Sequence, residues 1–329
     1  MPKDQYLSEV AVTVNPTLSS PIRVGFAFDF SPAQRERIEA AHPLGFEVLF
    51  LGADWRDDAT IVDLDVLVIG NGPVKASDIE RAPRLRLIQR WGTGIDNIDL
   101  TATASRNIAV AELPGANARS VAEFVLLAVL ALLRHLPEMA VAWSRGQWVR
   151  GRPDTPPRRL TGKTVGLLGF GSIGQDVARL LTPFDVELLV HDRLRPDPSF
   201  AGVMAVTRSD LLRRSDVLCV QLPLTDETRG AIGAAEIMEM KSDAVLVSVS
   251  RSGIVDEAAV REAVLAGRLA AAGFDNFAAE PLPAEFIRHQ PGILATPHVA
   301  GAAAEAFDQL LPACFESIRA RCPAAGNRA

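Results

Sequence analysis

The stretch that most restricts the fold runs from Thr164 to Leu181. Thr164–Leu168 has the composition of a buried strand and leads directly into Gly169-Phe170-Gly171-Ser172-Ile173-Gly174. Apolar residues then recur at Val177, Leu180 and Leu181, a helical spacing. A strand, a G-x-G-x-x-G turn and a helix in that order form the opening unit of a dinucleotide-binding α/β domain. Gly169 permits the tight turn, Gly171 lets the backbone approach a pyrophosphate, and Gly174 lets helix and strand pack closely. The N–H groups at the helix start, around Ser172 and Ile173, together with the helix dipole, suit an anion. Without a ligand the run is simply a glycine-rich turn, but its flanking strand and helix favour the nucleotide reading. Asp192 ends the next strand, 18 residues after Gly174. An acid there accepts hydrogen bonds from ribose hydroxyls and repels a 2′-phosphate, which favours NAD. Adjacent Arg193 suits a 2′-phosphate and keeps an NADP-preferring reductase as the alternative.

The rest of the chain extends the strand–helix alternation to both sides. Apolar runs at Ile22–Phe26, Phe46–Phe50, Val66–Ile69, Leu87–Ile88 and Ile108–Ala111 precede the turn, with Ser31–Ala41 as a helix. A single long helix is expected from about Ala118 to Arg145, and Gly151–Pro157 then breaks the pattern. The second series has strands at Thr164–Leu168, Val186–Val190, Val217–Val220, Ala244–Val249, Leu269–Phe274 and Ile293–Ala295, before a helix over Ala302–Arg319. Alternation of this kind specifies parallel sheets covered by helices, and 329 residues suffice for two such domains.

Composition narrows the function class. With 48% hydrophobic and 22% charged residues, the chain is globular in type. A net charge of −6 argues against a general nucleic-acid binder. Cys219, Cys314 and Cys322 fit no zinc or redox spacing, so no metal is expected and a reducing, cytoplasmic setting follows. Met1–Asn15 has no signal-peptide core. Leu126–Leu133 is too short to span a bilayer and reads as a buried helix, so no membrane association is expected.

Three residues follow late strands of the second series, where open α/β sheets bind ligands. They are Arg251, Glu280 and His298. An Arg can hold a carboxylate bidentately, a His can exchange a proton near neutral pH, and a carboxylate beside the His orients it. Each also has an ordinary structural explanation: a helix cap, a solvated loop acid and a buried His.

These residues lie within longer motifs: Arg90–Asp99 (RWGTGIDNID), Pro114–Glu123 (PGANARSVAE), Leu222–Thr225 with Thr228, Ser250–Glu257 (SRSGIVDE), Phe274-Asp275 with Glu280-Pro281, and Thr296–Gly301 (TPHVAG). In order and spacing, from Leu87 to Gly301, they resemble the D-isomer-specific 2-hydroxyacid dehydrogenase family. The resemblance implies an NAD-dependent oxidoreductase that interconverts a small D-2-hydroxy acid and its 2-keto acid. The fold implied is a flavodoxin-like substrate domain, residues 1–117 plus 299–329, and a Rossmann NAD-binding domain, residues 118–298, with a cleft between them. It also implies that the last helix returns to the N-terminal domain, and a homodimer formed through the NAD domain.

The same resemblance distributes roles. Arg251 binds the substrate carboxylate and carbonyl, His298 is the acid–base and Glu280 its partner. Trp91, Gly92, Thr93 and Gly94 line the substrate side, with the N–H groups of Thr93 and Gly94 on the carboxylate. Asp275 and the backbone near Val249 meet the nicotinamide carboxamide, and Pro223 lines the nicotinamide. Leu222, Thr228, Ser250 and Gly301 complete the cofactor contacts. Departures from the family pattern at Glu112-Leu113, Gln221, Ser248, Ser252, Ala302 and Ala303 remove no catalytic group. The chain's end soon after the last helix implies no appended regulatory domain. The contrasting function class is a non-catalytic NAD(H)-sensing binding protein, which the intact trio disfavours.

Overall fold

The computed structural model describes residues 21–150, 155–193, 200, 202–280, 282 and 290–322. Met1–Asn15, the first four residues of the Gly151–Pro157 break and Pro281 lie outside these. The chain divides into two compact units. One is Met1–Trp91, Asn97–Glu112 and Pro312–Ala329, and the other is Gly92–Asp96 and Leu113–Leu311.

The first unit is built on five parallel strands: β1 (Ile22–Phe26), β2 (Phe46–Phe50), β3 (Val66–Ile69), β4 (Leu87–Arg90) and β5 (Ala109–Ala111). Their order is β2-β1-β3-β4-β5, the flavodoxin-like order. Helices α1 (Pro32–Ala41), α2 (Ala76–Glu80) and α3 (Leu100–Ser105) lie between strands in the chain. Ser31 and Gln34 close a capping box at the start of α1, and Pro32 occupies its first position, where no donor is needed. Every residue of β3 and β4 is buried, as expected for a parallel sheet covered on both faces. Buried Gln89 on β4 donates to the carbonyls of Arg90 and Ala111 and accepts from Ser317 Oγ at 2.6 Å. Ser317 belongs to the last helix, α10 (Ala304–Arg321). Phe315 of the same helix sits 6.4 Å from Phe26 and 5.9 Å from Phe46, ring centre to ring centre. The last helix therefore does return to the N-terminal sheet. Pro312 lies inside α10, and the boundary between the two units falls at this residue.

The second unit carries seven parallel strands: β6 (Thr164–Leu168), β7 (Glu187–His191), β8 (Val203–Ala205), β9 (Val217–Val220), β10 (Val245–Ser248), β11 (Ala271–Phe274) and β12 (Ile293–Ala295). Their order is β12-β11-β10-β9-β6-β7-β8, the Rossmann order with one strand added. The winding reverses between β6 and β9, and this is the point where α/β sheets bind ligands. Helices α4 (Ala118–Leu133) and α6 (Ser172–Leu181) share one core with Val165, Leu167, Val217 and Val247. Residues of α7 (Arg208–Arg214), α8 (Ala234–Glu239) and α9 (Glu257–Leu265) form another with Leu168, Leu218 and Leu246. Alternate residues of β9 thus feed opposite cores, and all four are fully buried. Each Val or Leu buried in this way contributes about 1.5–3 kcal/mol. Burial also pushes the Cys219 thiol up to about 12, which leaves it inert as a nucleophile.

The sequence expectations need correction at several elements, and β4, β5, β7 and β10 also shift by one or two residues at their ends. The long helix is two, α4 and α5 (Leu136–Ser144), bent by 70°. His135 between them is left-handed, φ +56°, and Pro137 cannot donate to the turn before it. Strand β8 has only three residues, Val-Met-Ala, and gives no readable period. Strand β11 starts at Ala271 rather than Leu269, and α10 runs two residues later than expected at each end. Among the described residues no single helix is long and apolar enough to cross a membrane.

Candidate functional site

β6 is followed by Gly169, φ +100°, where a Cβ would lie 2.8 Å from the carbonyl oxygen of Gln221, the residue after β9. A Cβ on Gly174 would lie 2.5 Å from the Gly169 carbonyl oxygen. Backbone packing alone therefore requires these two glycines. Gly171 differs: it is exposed, and a Cβ there would meet nothing within 4 Å. It opens onto the start of α6, where Ser172 and Ile173 begin the helix and no side chain caps it. Gln221 has both amide atoms buried without a hydrogen-bond partner among the described residues. Such orphaned groups cost about 1–3 kcal/mol each. Open space at Gly171, an uncapped helix start and an orphaned amide nearby fit a bound dinucleotide. Asp192 Oδ2 accepts from Phe170 N at 2.6 Å, which fixes the acid beside the turn. Arg193 is exposed and 3.7 Å from Glu227. His191 is a strand-end residue with Nδ1 3.0 Å from Val206 O.

Hydroxyl groups order the neighbouring strand ends. Ser250 Oγ donates to Val220 O at 2.8 Å and accepts from Leu222 N at 3.1 Å, joining the ends of β9 and β10. Thr228 Oγ1 donates to Pro223 O at 2.6 Å and accepts from Thr225 N at 2.8 Å. With these hydroxyls engaged, Leu222, exposed Pro223 and buried Val249 offer mainly shape.

Arg251 follows directly. Its Nε lies 3.2 Å from Asp96 Oδ1 and its Nη2 donates to Thr93 O at 2.5 Å. A Cβ on Gly94, φ +90°, would sit 2.5 Å from that Nη2, so only glycine lets the guanidinium lie against this loop. Leu113 N donates to Gly92 O at 2.8 Å and Thr93 Oγ1 donates to Leu113 O at 3.2 Å, which holds the loop from the other side. Trp91 belongs to the first unit, packed 5.7–6.0 Å from Phe26, Phe28 and Phe30.

His298 Nδ1 and Glu280 Oε2 are 2.7 Å apart. Glu280 Oε1 accepts from Phe277 N at 3.0 Å. Burial works to raise the Glu280 carboxyl. Hydrogen bonds from His298 and Phe277, with the charges of His298 and Arg251, more than offset this and hold it below its ordinary range. Glu257 nearby goes the other way: burial raises it against a hydrogen bond from Ser252 and the charge of Arg261. Buried Asp275 fixes the His298 loop. Its Oδ1 accepts from Thr296 Oγ1 at 2.6 Å and Val299 N at 2.9 Å, and its Oδ2 from Ala300 N at 2.8 Å. His298 itself is left-handed, φ +54°. A Cβ on Gly301 would come within 2.6 Å of Asn117 Nδ2.

The second unit thus brings together the glycine turn, Thr93–Gly94, Arg251, Glu280 and His298. With Nδ1 turned to Glu280, Nε2 is the ring atom left to exchange a proton. Asp96 as the partner of Arg251, and Asp275 as the anchor of the His298 loop, were not readable from sequence. Both are contacts between distant segments with no spacing rule.

Residues 126–300 match the family model for the NAD binding domain of D-isomer specific 2-hydroxyacid dehydrogenases. The chain is 37% identical to hydroxypyruvate reductase of Thermotoga maritima over 251 residues, covering 75% of this chain and 81% of that one. It is 33% identical to D-3-phosphoglycerate dehydrogenase of Mycobacterium tuberculosis over 278 residues, covering 83% of this chain but only 52% of that protein. Among solved structures it is similar to NAD-dependent formate dehydrogenase from Staphylococcus aureus in complex with NAD. That likeness has a TM-score of 0.81 and 29% identity, over 90% of this chain and 94% of that one. The glycine turn, the sheet order and these likenesses agree, and the chain belongs to the D-isomer-specific 2-hydroxyacid dehydrogenase family of NAD-dependent oxidoreductases.

Proposed function

We propose that the chain reduces a small 2-keto acid of the hydroxypyruvate or glyoxylate type to the corresponding 2-hydroxy acid, of D configuration where C2 is a stereocentre, with Arg251, His298 and Glu280 as the working residues. The observation that carries this reading is the 2.7 Å pair of His298 and Glu280, whose carboxylate is also in the field of Arg251. Arg251 captures the carboxylate, joined by the N–H groups of Thr93 and Gly94. His298 Nε2 gives its proton to the C2 oxygen, and Glu280 keeps the ring turned for that transfer. When bound, the nicotinamide supplies the hydride to C2. Gly169–Gly174, Asp192, Leu222, Pro223, Thr228, Val249 and Ser250 would hold the cofactor, with Asp275 and Gly301 supporting the His298 loop. Trp91 and Gly92 border the substrate. The substrate-side part is 1–117 with 299–329, and 118–298 is the dinucleotide-binding part.

Asp192, held by the Phe170 N–H, supports NADH over NADPH because a fixed carboxylate repels a 2′-phosphate. A panel of 2-keto acids assayed with both cofactors tests the reading. The expected result is turnover of hydroxypyruvate or glyoxylate with the higher kcat/KM for NADH. Loss of preference for a 2-keto acid, or full activity in His298→Ala, would refute it.

The assembly we propose is a homodimer through the NAD domain. Support comes from Trp143 and Trp148, 71% and 80% exposed with rings 6.1 Å apart, and from exposed Leu127 and Leu136 on the adjoining helices. Apolar surface of this kind marks association sites. A cytoplasmic location is proposed on the three buried, unpaired cysteines.

A further inference from the structure

Arg251 and Asp96 are 155 residues apart in the chain and meet within one compact unit. Both are partly shielded, with side chains 25% and 29% exposed. A guanidinium carries five N–H groups, one on Nε and two on each terminal nitrogen. Asp96 Oδ1 accepts the Nε–H at 3.2 Å, and the Thr93 carbonyl accepts from Nη2 at 2.5 Å. Nη1 comes only within 3.5 Å of the Ser250 carbonyl, the outer limit of a hydrogen bond. The N–H groups left for a ligand are therefore all on the two terminal nitrogens.

Two anchors do what one cannot. A single bond from Nη2 to the Thr93 carbonyl leaves the guanidinium plane free to pivot about it. A second bond, on a different nitrogen, fixes the plane. Both anchors come from one short loop. Thr93 and Asp96 lie on either side of Gly94, where a Cβ would come within 2.5 Å of Nη2 and 3.0 Å of Asp96 Oδ1. The loop is itself tied to Leu113 through Gly92 and Thr93. Asp96 also opposes the charge of Arg251, so it weakens the pull on an incoming carboxylate while it sets the direction of that pull.

We infer that Asp96 is a positioning residue for the substrate carboxylate: it holds Nε of Arg251 so that the terminal nitrogens present a fixed edge, and this places C2 for hydride and proton transfer. The inference rests on Arg251 as the group that captures the carboxylate.

Asp96→Ala removes the Nε anchor and the opposing charge together. With NADH and the best 2-keto acid, kcat should fall about 10- to 100-fold, the scale of a small misplacement of reacting atoms. KM should not rise, nor should the Ki of oxamate, a carboxylate analogue of the keto acid, because the freed guanidinium attracts a carboxylate at least as strongly. The Kd for NADH, from fluorescence, should stay within about twofold. Asp96→Asn keeps an acceptor oxygen for Nε and should recover most of kcat. In an Arg251→Lys background there is no guanidinium plane to fix, so adding Asp96→Ala should change kcat by less than about threefold. A kcat for Asp96→Ala within about twofold of wild type, or above it, overturns the inference. So does an equal loss in the wild-type and Arg251→Lys backgrounds. A merely structural loop acid would instead lower the melting temperature and raise both KM and the Kd for NADH, and that pattern overturns it too. If circular dichroism shows the Ala variant unfolded, Asp96→Ser, too short to reach Nε, decides by the same measures. Arg251→Ala separates the two readings. Full activity there removes the carboxylate holder and this inference together. An inactive Arg251→Ala beside wild-type-like Asp96 variants removes this inference alone.

Discussion

Arg251 spends its guanidinium on Asp96 Oδ1 and the Thr93 carbonyl, and the bare Cα of Gly94 makes room for it. A lysine keeps the charge and loses the planar fork. Charge-assisted hydrogen bonds contribute about 1.5–3 kcal/mol each. Arg251→Lys should therefore lower kcat/KM by about 100-fold while NADH binding by fluorescence is kept; near-normal turnover would remove the carboxylate-capture role. Glu280 gives a second prediction at this scale. Its carboxyl lies below the ordinary 4.5 because hydrogen bonds and neighbouring cations outweigh burial. A lowered native pKa means that the ionised group adds stability above pH about 4.5, and the addition disappears as pH falls through the native value. The melting temperature of wild type should then fall more steeply between pH 6 and about 3 than that of Glu280→Gln. Parallel curves for the two proteins would show that the pair with His298 carries no net stabilisation.

At the level of elements, the strand–turn–helix around Gly169 was legible because two of its glycines answer to the chain's own backbone. Gly169 and Gly174 avoid clashes at 2.8 and 2.5 Å with carbonyl oxygens, whereas Gly171 avoids none. Gly174→Ala should lower the melting temperature and weaken NADH binding together. Gly171→Ala should leave the melting temperature within about 1–2 °C, as for other substitutions without a fold contact, and weaken NADH binding alone. A melting loss in Gly171→Ala would mean that the turn, not the ligand, requires that glycine. The same contrast explains what the sequence concealed. Continuous apolar strands such as Val217–Val220 declare themselves by composition. The break at His135 is set by one left-handed residue inside an otherwise helical apolar run. The anchoring of the His298 loop by Asp275 spans more than twenty residues, and periodicity carries no trace of it.

For the molecule as a whole, alternation specified two parallel sheets, and the family resemblance implied the flavodoxin-like and Rossmann architectures whose strand orders the structure displays. Assembly is the property still written on the surface. If Trp143 and Trp148 are covered by a second copy, wild type should elute and sediment as a dimer. Replacing both with Lys should shift it toward monomer with the Kd for NADH unchanged, because the turn at Gly169 is a separate element. A double variant that remains dimeric would place the interface elsewhere.

The left-handed backbone at His298, φ +54°, also matters to anyone engineering this chain. A side chain in that conformation costs about 1–2 kcal/mol that glycine does not pay. A screen that rewards heat resistance alone will favour glycine at this position and so remove the ring proposed to carry the proton. Thermostable libraries should hold residue 298 fixed and collect their gains elsewhere.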